Sequence, residues 1–69
     1  MKPNEQVIKE LIAERDELQD KLSKLRKFTN SETFYEKVGL SQARGFNMQE
    51  KAMDEYIIAL NIRIGDLTK

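Results

Sequence analysis

Apolar residues recur at helical spacing over the first third of the chain. They fall four, seven, four and three residues apart and follow a near-heptad pattern, which places them on one stripe of an α-helix: Val7, Leu11, Leu18, Leu22 and Leu25. Ile8 and Ile12 widen this stripe at its N-terminal end. The pattern predicts one helix over about 5–28, started by Lys2-Pro3-Asn4 with Asn4 as N-cap.

The last third of the chain carries the most regular apolar repeat. Its members recur at four, three, four and three residues: Met53, Ile57, Leu60, Ile64 and Leu67. They predict a helix over about 47–67. Ile58 and Ile62 fall on the opposite side of that helix, because each residue turns the helix by about 100°. A lone hairpin buries only one of these faces, so Ile58 and Ile62 favour an oligomer interface, although singly exposed apolar residues are also common.

The segment 29–46 between the two helices predicts a turn-rich connector. Thr29-Asn30-Ser31 offers cap residues for a short helical turn over Glu32–Lys37, with Phe34 and Val38 directed inward. Gly39 suits the residue after that turn. Two interpretations of residues 41–46 stay open: the last helix begins at Ser41 and tolerates Gly45 at about 1 kcal/mol relative to alanine, or it begins after an N-cap at Asn47 and 41–46 is irregular.

These elements predict an all-α fold: an antiparallel helical hairpin with a short connecting helical turn, forming one domain over 1–69. A chain of 69 residues with 39% apolar residues supplies a thin core, so self-association is expected.

Composition excludes several kinds of chemistry. Cysteine and histidine are absent, which removes thiol chemistry, disulfides, the usual zinc ligands and the commonest general base. We also find no phosphate-binding glycine loop or metal-ligand spacing, so we expect no catalysis, cofactor or metal. Acidic residues interrupt every apolar run in residues 1–20, and no run approaches the about 20 residues of a membrane span. We therefore expect a soluble protein without a membrane partner.

Positive charge is concentrated near the end of the first helix, in a basic patch that has no acid before Phe28: Lys21, Lys24, Arg26 and Lys27. One interpretation is structural, since Asp20–Lys24 and Glu17–Lys21 are favourable i, i+4 pairs and bases suit the helix C-terminus. The other is functional, because lysine and arginine can hold phosphates through charge-assisted hydrogen bonds. The net charge is zero, and so compact a patch suits a small anion better than duplex nucleic acid.

Aromatic residues and one arginine complete the candidates. Phe28, Phe34, Tyr35 and Tyr56 can stack on nucleobases or pack in the core. Arg63 interrupts an apolar run on the last helix, either as an arginine extending to solvent or as an interfacial anion ligand.

The chain resembles a known family through three stretches taken together. They are ERDELQDKLSKLRKF at 14–28, then Asn30-Ser31-Glu32 with Phe34, and then the spaced set Gln49, Met53, Tyr56, Leu60 and Arg63. This progression, spanning about Glu10 to Leu67, resembles the small phage anti-CBASS sponge proteins.

The resemblance implies a homohexamer of helical hairpins that does no chemistry. Members bind cyclic dinucleotides, and in many cases cyclic trinucleotides, in pockets where protomers meet. They thereby stop activation of a bacterial immune effector in the cytoplasm of the infected host. The family's dinucleotide site uses a lysine late in the first helix for phosphate, which Lys24 matches, and an aromatic near that helix's start, which is missing from 7–14. For the trinucleotide site the resemblance offers Arg26, Thr29 and Arg63.

Two other functions remain open from the residues. The Ile58 and Ile62 stripe also suits a structural or adaptor hairpin that binds a host or phage protein. The basic patch also suits a binder of single-stranded nucleic acid, which would show a steep salt dependence.

Overall fold

A computed structural model describes residues 4–69 as three helices: α1 (Asn4–Thr29), α2 (Phe34–Lys37) and α3 (Leu40–Leu67). The long helices α1 and α3 pack side by side. Their cross-helix contacts join Arg15 to Asn61 and Arg26 to Asp54, so the helices run antiparallel. The predicted all-α hairpin is therefore confirmed. The part of the predicted helix start that falls on Lys2 and Pro3 lies outside the described residues.

The two predicted apolar stripes form the seam of the hairpin. Leu11 and Leu22 of α1 are buried, as are Ile57 and Leu60 of α3, and the other stripe members are half-buried. Full burial of one such side chain contributes about 1.5–3 kcal/mol relative to leaving it exposed. Four of the six buried apolar side chains among residues 4–69 thus lie in the seam.

Aromatic rings close the end of the hairpin where the chain turns, which we call the tip. Phe34 in α2 is 1% exposed, and its ring centroid lies 5.3 Å from that of Phe28 and 5.9 Å from that of Phe46. The rings meet edge to face, a geometry that contributes about 0.5–1.5 kcal/mol per pair beyond area burial. The predicted inward direction of Phe34 is confirmed, and Val38 is half-buried.

Of the two interpretations of residues 41–46, the structure supports a last helix that begins near Ser41, and the boundary of 47–67 is too short. α3 begins at Leu40, so it runs through Gly45 and 41–46 is helical. Gly39 is the N-cap of α3, with extended backbone angles, and its carbonyl accepts from the Ala43 amide at 3.0 Å. The longer helix buries Ala43 and brings Phe46 into the aromatic tip. This packing offsets the about 1 kcal/mol that glycine costs inside a helix.

The hairpin is long and thin, measuring 49 × 19 × 15 Å. Its radius of gyration is 15.6 Å, against about 11 Å for a compact domain of this length. Ile58 and Ile62 lie 56% and 67% exposed on the side of α3 away from the seam, where their spacing predicted them. We call this side the outer face of α3. None of the helices described here is long and apolar enough to cross a membrane.

Candidate ligand-binding site

Two cations of the basic patch are paired with acids. The Lys24 ammonium lies 3.1 Å from the Asp20 carboxylate one turn earlier, as the i, i+4 spacing predicted. The Arg26 guanidinium lies 3.3 Å from the Asp54 carboxylate on α3. All four side chains are substantially exposed, and exposed ion pairs contribute about 0–1 kcal/mol. Each acid is therefore held only weakly by its cation.

Thr29 and Phe28 end α1 at the tip. The Thr29 hydroxyl donates to the Glu50 carboxylate on α3 and lies 3.3 Å from the Arg26 carbonyl oxygen. The Phe28 ring packs edge to face on Phe46 at 5.4 Å, as it does on Phe34, and the residue keeps 36% of its surface exposed. Phe28 thus contributes mainly to the packing of the tip.

Arg63 lies near the other end of the hairpin, which we call the open end, where α1 begins and α3 finishes. It lines a cleft of about 840 Å³ whose other described lining residues are Val7, Ile62, Gly65, Asp66, Leu67 and Lys69. Lys69 is paired with Asp66 at 3.5 Å. Arg63 is exposed, so the cleft presents an accessible guanidinium beside apolar side chains.

The chain does not bring Arg63 together with Arg26 and Thr29. These two residues contact α3 at Asp54 and Glu50. At about 1.5 Å per residue, Arg63 lies about 14 Å beyond Asp54 and about 20 Å beyond Glu50 along the helix axis. The trinucleotide candidates named by the resemblance thus fall into two groups, one at each end of the hairpin.

Tyr56 lies between these groups, on the exposed side of the contact between α1 and α3. Its hydroxyl donates a hydrogen bond to the Glu14 carboxylate. That hydrogen bond and the negative charge of Glu14 raise the pKa of the Tyr56 phenol above its ordinary value, desolvation adds to the rise, and the positive charge of Arg63 opposes it. The residue remains 49% exposed. The Tyr56 side chain is therefore held by a hydrogen bond yet accessible to solvent. The Arg63 cation lies close enough to oppose the rise in its phenol pKa.

Sequence reasoning missed the acids that organise this surface. Glu14, Glu50 and Asp54 were given no role from the sequence, yet each reaches across the hairpin. The Arg15 guanidinium does the same, donating to the Asn61 side chain at 3.0 Å. These pairs could be predicted only from the antiparallel register of α1 and α3. That register depends on the residue at which α3 begins.

Comparison with known protein families gives one assignment. The Sequestin family model matches residues 5–66, which include α2, nearly all of α1 and all but the last residue of α3. Comparisons with curated proteins and with solved structures gave no match. The resemblance seen in the sequence is thereby confirmed: the chain belongs to the Sequestin family, the phage anti-CBASS cyclic-oligonucleotide sponge family.

Proposed function

We propose that this protein sequesters cyclic oligonucleotide second messengers and releases them unchanged, so that a bacterial CBASS effector is not activated. The observation that carries this proposal is the family match over residues 5–66. The site of action is the cytoplasm of the infected host, where such messengers are made. A sponge needs tight binding and abundance but no catalytic group.

Phosphate recognition falls to the exposed cations. A hydrogen bond between a charged side chain and a phosphate contributes about 1.5–3 kcal/mol. Lys24 and Arg26 offer such bonds near the tip, and Arg63 offers them at the open end. Thr29 supplies a hydroxyl close to Arg26. Its oxygen lies 3.3 Å from the backbone carbonyl oxygen of Arg26. These are the residues we assign to cyclic dinucleotide and cyclic trinucleotide binding.

The complete pocket requires a second copy of the chain. Within one hairpin the two groups of cations lie about 14–20 Å apart along the helix axis. When two hairpins pack antiparallel, the tip of one lies beside the open end of the other, which brings Arg26 and Thr29 near Arg63 of the partner subunit. Rotational symmetry also suits the ligands, because a cyclic dinucleotide of identical units is itself two-fold symmetric.

The outer face of α3, with Ile58 and Ile62, is the surface we assign to this assembly. Covering it removes apolar area that one chain leaves in water. A homohexamer, as the resemblance implies, contains several such contacts and therefore several pockets per particle.

Calorimetric titration with cyclic diguanylate, cyclic diadenylate and cyclic triadenylate tests the proposal. We expect at least one to bind, and mass spectrometry of the ligand released by denaturation should show it intact. Failure of all three to bind would refute the proposal. Binding of a linear oligonucleotide with a steep salt dependence would instead support a binder of single-stranded nucleic acid.

Lys24→Ala tests the phosphate assignment. Loss of one charge-assisted hydrogen bond should weaken binding by about 10- to 150-fold. The fold should persist, since Lys24 lies off the seam and its pair with Asp20 is exposed. Lys37→Ala makes the same change of charge in α2 and is the matched control. Equal affinities of the two variants would remove Lys24 from the site.

A further inference from the structure

Tyr56 differs from the other aromatic residues in its surroundings. The rings of Phe28, Phe34, Tyr35 and Phe46 pack edge to face with one another at the tip, with centroids 5.0–5.9 Å apart. Tyr56 makes no ring contact with another aromatic among residues 4–69. Its contact is polar instead, because its hydroxyl donates to Glu14 on the opposite helix.

This contact fixes the ring without covering it. A tyrosine side chain has two main rotations, and a hydrogen bond to a second helix restrains both of them. About half of the residue's surface nevertheless stays accessible, at 49%. A restrained and exposed ring is what base stacking requires, since little conformational freedom is lost when a base docks on it.

A cation accompanies the ring. Arg63 follows Tyr56 by two helical turns on the same face of α3, about 10 Å along the axis. It is close enough for its charge to oppose the rise in the pKa of the Tyr56 phenol. A nucleotide offers an aromatic base and an anionic phosphate that are covalently joined. The ring and the guanidinium match these two groups on one continuous surface.

We propose that Tyr56 is a nucleobase-stacking residue and that Glu14 is the positioning residue that holds its ring across the hairpin. This inference rests on the proposed function, because it names the part of the messenger that this surface takes. The base stacks on the exposed ring of Tyr56, and Arg63 receives a phosphate. The aromatic that α1 lacks over 7–14 is thus replaced by one supplied from α3.

Tyrosine fluorescence tests the stacking directly, because the chain contains two tyrosines and no tryptophan. In Tyr35→Phe the emission comes from Tyr56 alone, and in Tyr56→Phe it comes from Tyr35 alone. Each variant is titrated with cyclic diguanylate, cyclic diadenylate and cyclic triadenylate while calorimetry records binding. We expect the bound ligand to quench Tyr56 strongly. Tyr35 emission should fall only by the amount of light that the added bases absorb, so Tyr35 is the internal control for this absorption.

Affinity measurements then test whether stacking contributes to binding. Tyr56→Leu keeps an apolar side chain on an exposed helical position, and circular dichroism confirms that it folds. We expect its affinity to fall by about 5- to 150-fold, the range for losing one base–aromatic stack. Tyr35→Leu, the matched control, should bind as the wild type does. Glu14→Ala should weaken binding because the ring is no longer held, whereas Glu14→Gln keeps an acceptor and should largely preserve affinity.

The outcomes separate this inference from the proposed function. If a ligand binds but Tyr56 emission does not change beyond the Tyr35 control, Tyr56 is not a stacking residue and the sponge function stands. Quenching with unaltered affinity in Tyr56→Leu would also overturn the inference, because the ring would lie nearby without contributing. Absence of binding by all three ligands would overturn both proposals.

Discussion

Replacing both Ile58 and Ile62 with aspartate tests whether the outer face of α3 joins copies of the chain. Both residues are largely exposed in the single hairpin, so the substitutions remove little of the packing that holds the hairpin itself. We expect the double variant to remain helical and to lose its assembly. The change thus separates the stability of the chain from the stability of the oligomer.

The expected magnitude is set by the exposed fractions. Full burial of an isoleucine contributes about 1.5–3 kcal/mol. Covering the 56% of Ile58 and the 67% of Ile62 that are exposed therefore contributes about 2–4 kcal/mol per chain. Losing this amount weakens association by roughly 30- to 1,000-fold. An unpaired carboxylate held in an apolar interface adds a further desolvation cost. Surface substitutions in the separate chain change its free energy of unfolding by only about 0.5 kcal/mol each.

Light scattering coupled to size-exclusion chromatography measures the mass over a dilution series. The wild type should be an oligomer, and the double variant should have the mass of one chain or dissociate at much higher protein concentration. Gln19→Asp with Ser23→Asp is the matched control, since it adds the same charge one turn apart at exposed polar positions of α1. A double isoleucine variant that keeps the wild-type mass, or a monomeric wild type, would refute the reasoning.

Two further predictions concern the seam and the Tyr56 contact. Leu22→Ala should lower the free energy of unfolding by about 2–5 kcal/mol in chemical denaturation, because Leu22 is 0% exposed and its loss leaves a cavity. Leu25→Ala, at a half-buried position, is the control. A loss for Leu22→Ala no larger than that for Leu25→Ala would contradict the central place of Leu22 in the seam. The hydrogen bond to Glu14 raises the pKa of Tyr56 in the folded protein. The stabilising contribution of this hydrogen bond is therefore present below the unfolded phenol pKa of about 10, and it is lost as pH rises through the higher folded pKa. Absorbance titration of Tyr35→Phe should therefore give a higher phenol pKa than the same variant carrying Glu14→Gln, and equal values would contradict the contact.

Apolar periodicity predicted the seam correctly because burial of leucine and isoleucine dominates the packing of two helices. Leu22 and Leu60, both placed on their stripes by spacing alone, are among the most buried side chains. The same spacing placed Ile58 and Ile62 on the exposed side. What periodicity does not reveal is the partner for that side, so assembly remains a prediction.

The start of α3 was harder to predict because local and tertiary preferences disagree there. Gly45 disfavours a helix locally, whereas burial of Ala43 and the rings around Phe46 favour it only once the tip has formed. The contacts of Glu14, Glu50 and Asp54 depend on the resulting register. The charge pattern along one helix does not show which residues of the other helix contact it.

The uneven burial along the hairpin has a consequence for the order in which its parts form. At the tip, Phe34 and Ala43 are almost fully buried, and the ring contacts of Phe28 join residues close in sequence. Closing such short loops costs little entropy, so we expect these contacts to form early. At the open end, Val7, Ile64 and Leu67 are only half-buried. That end joins the segments most distant in sequence, and we therefore expect it to open first.

Arg63 and its cleft lie on this weaker end. A messenger or a neighbouring subunit bound there, as proposed above, would contact both helix ends and hold them together. Under the proposed function, both events order the same end of the hairpin, so we expect each to make the other more favourable. We therefore expect the open end of the hairpin to couple ligand binding to oligomer assembly.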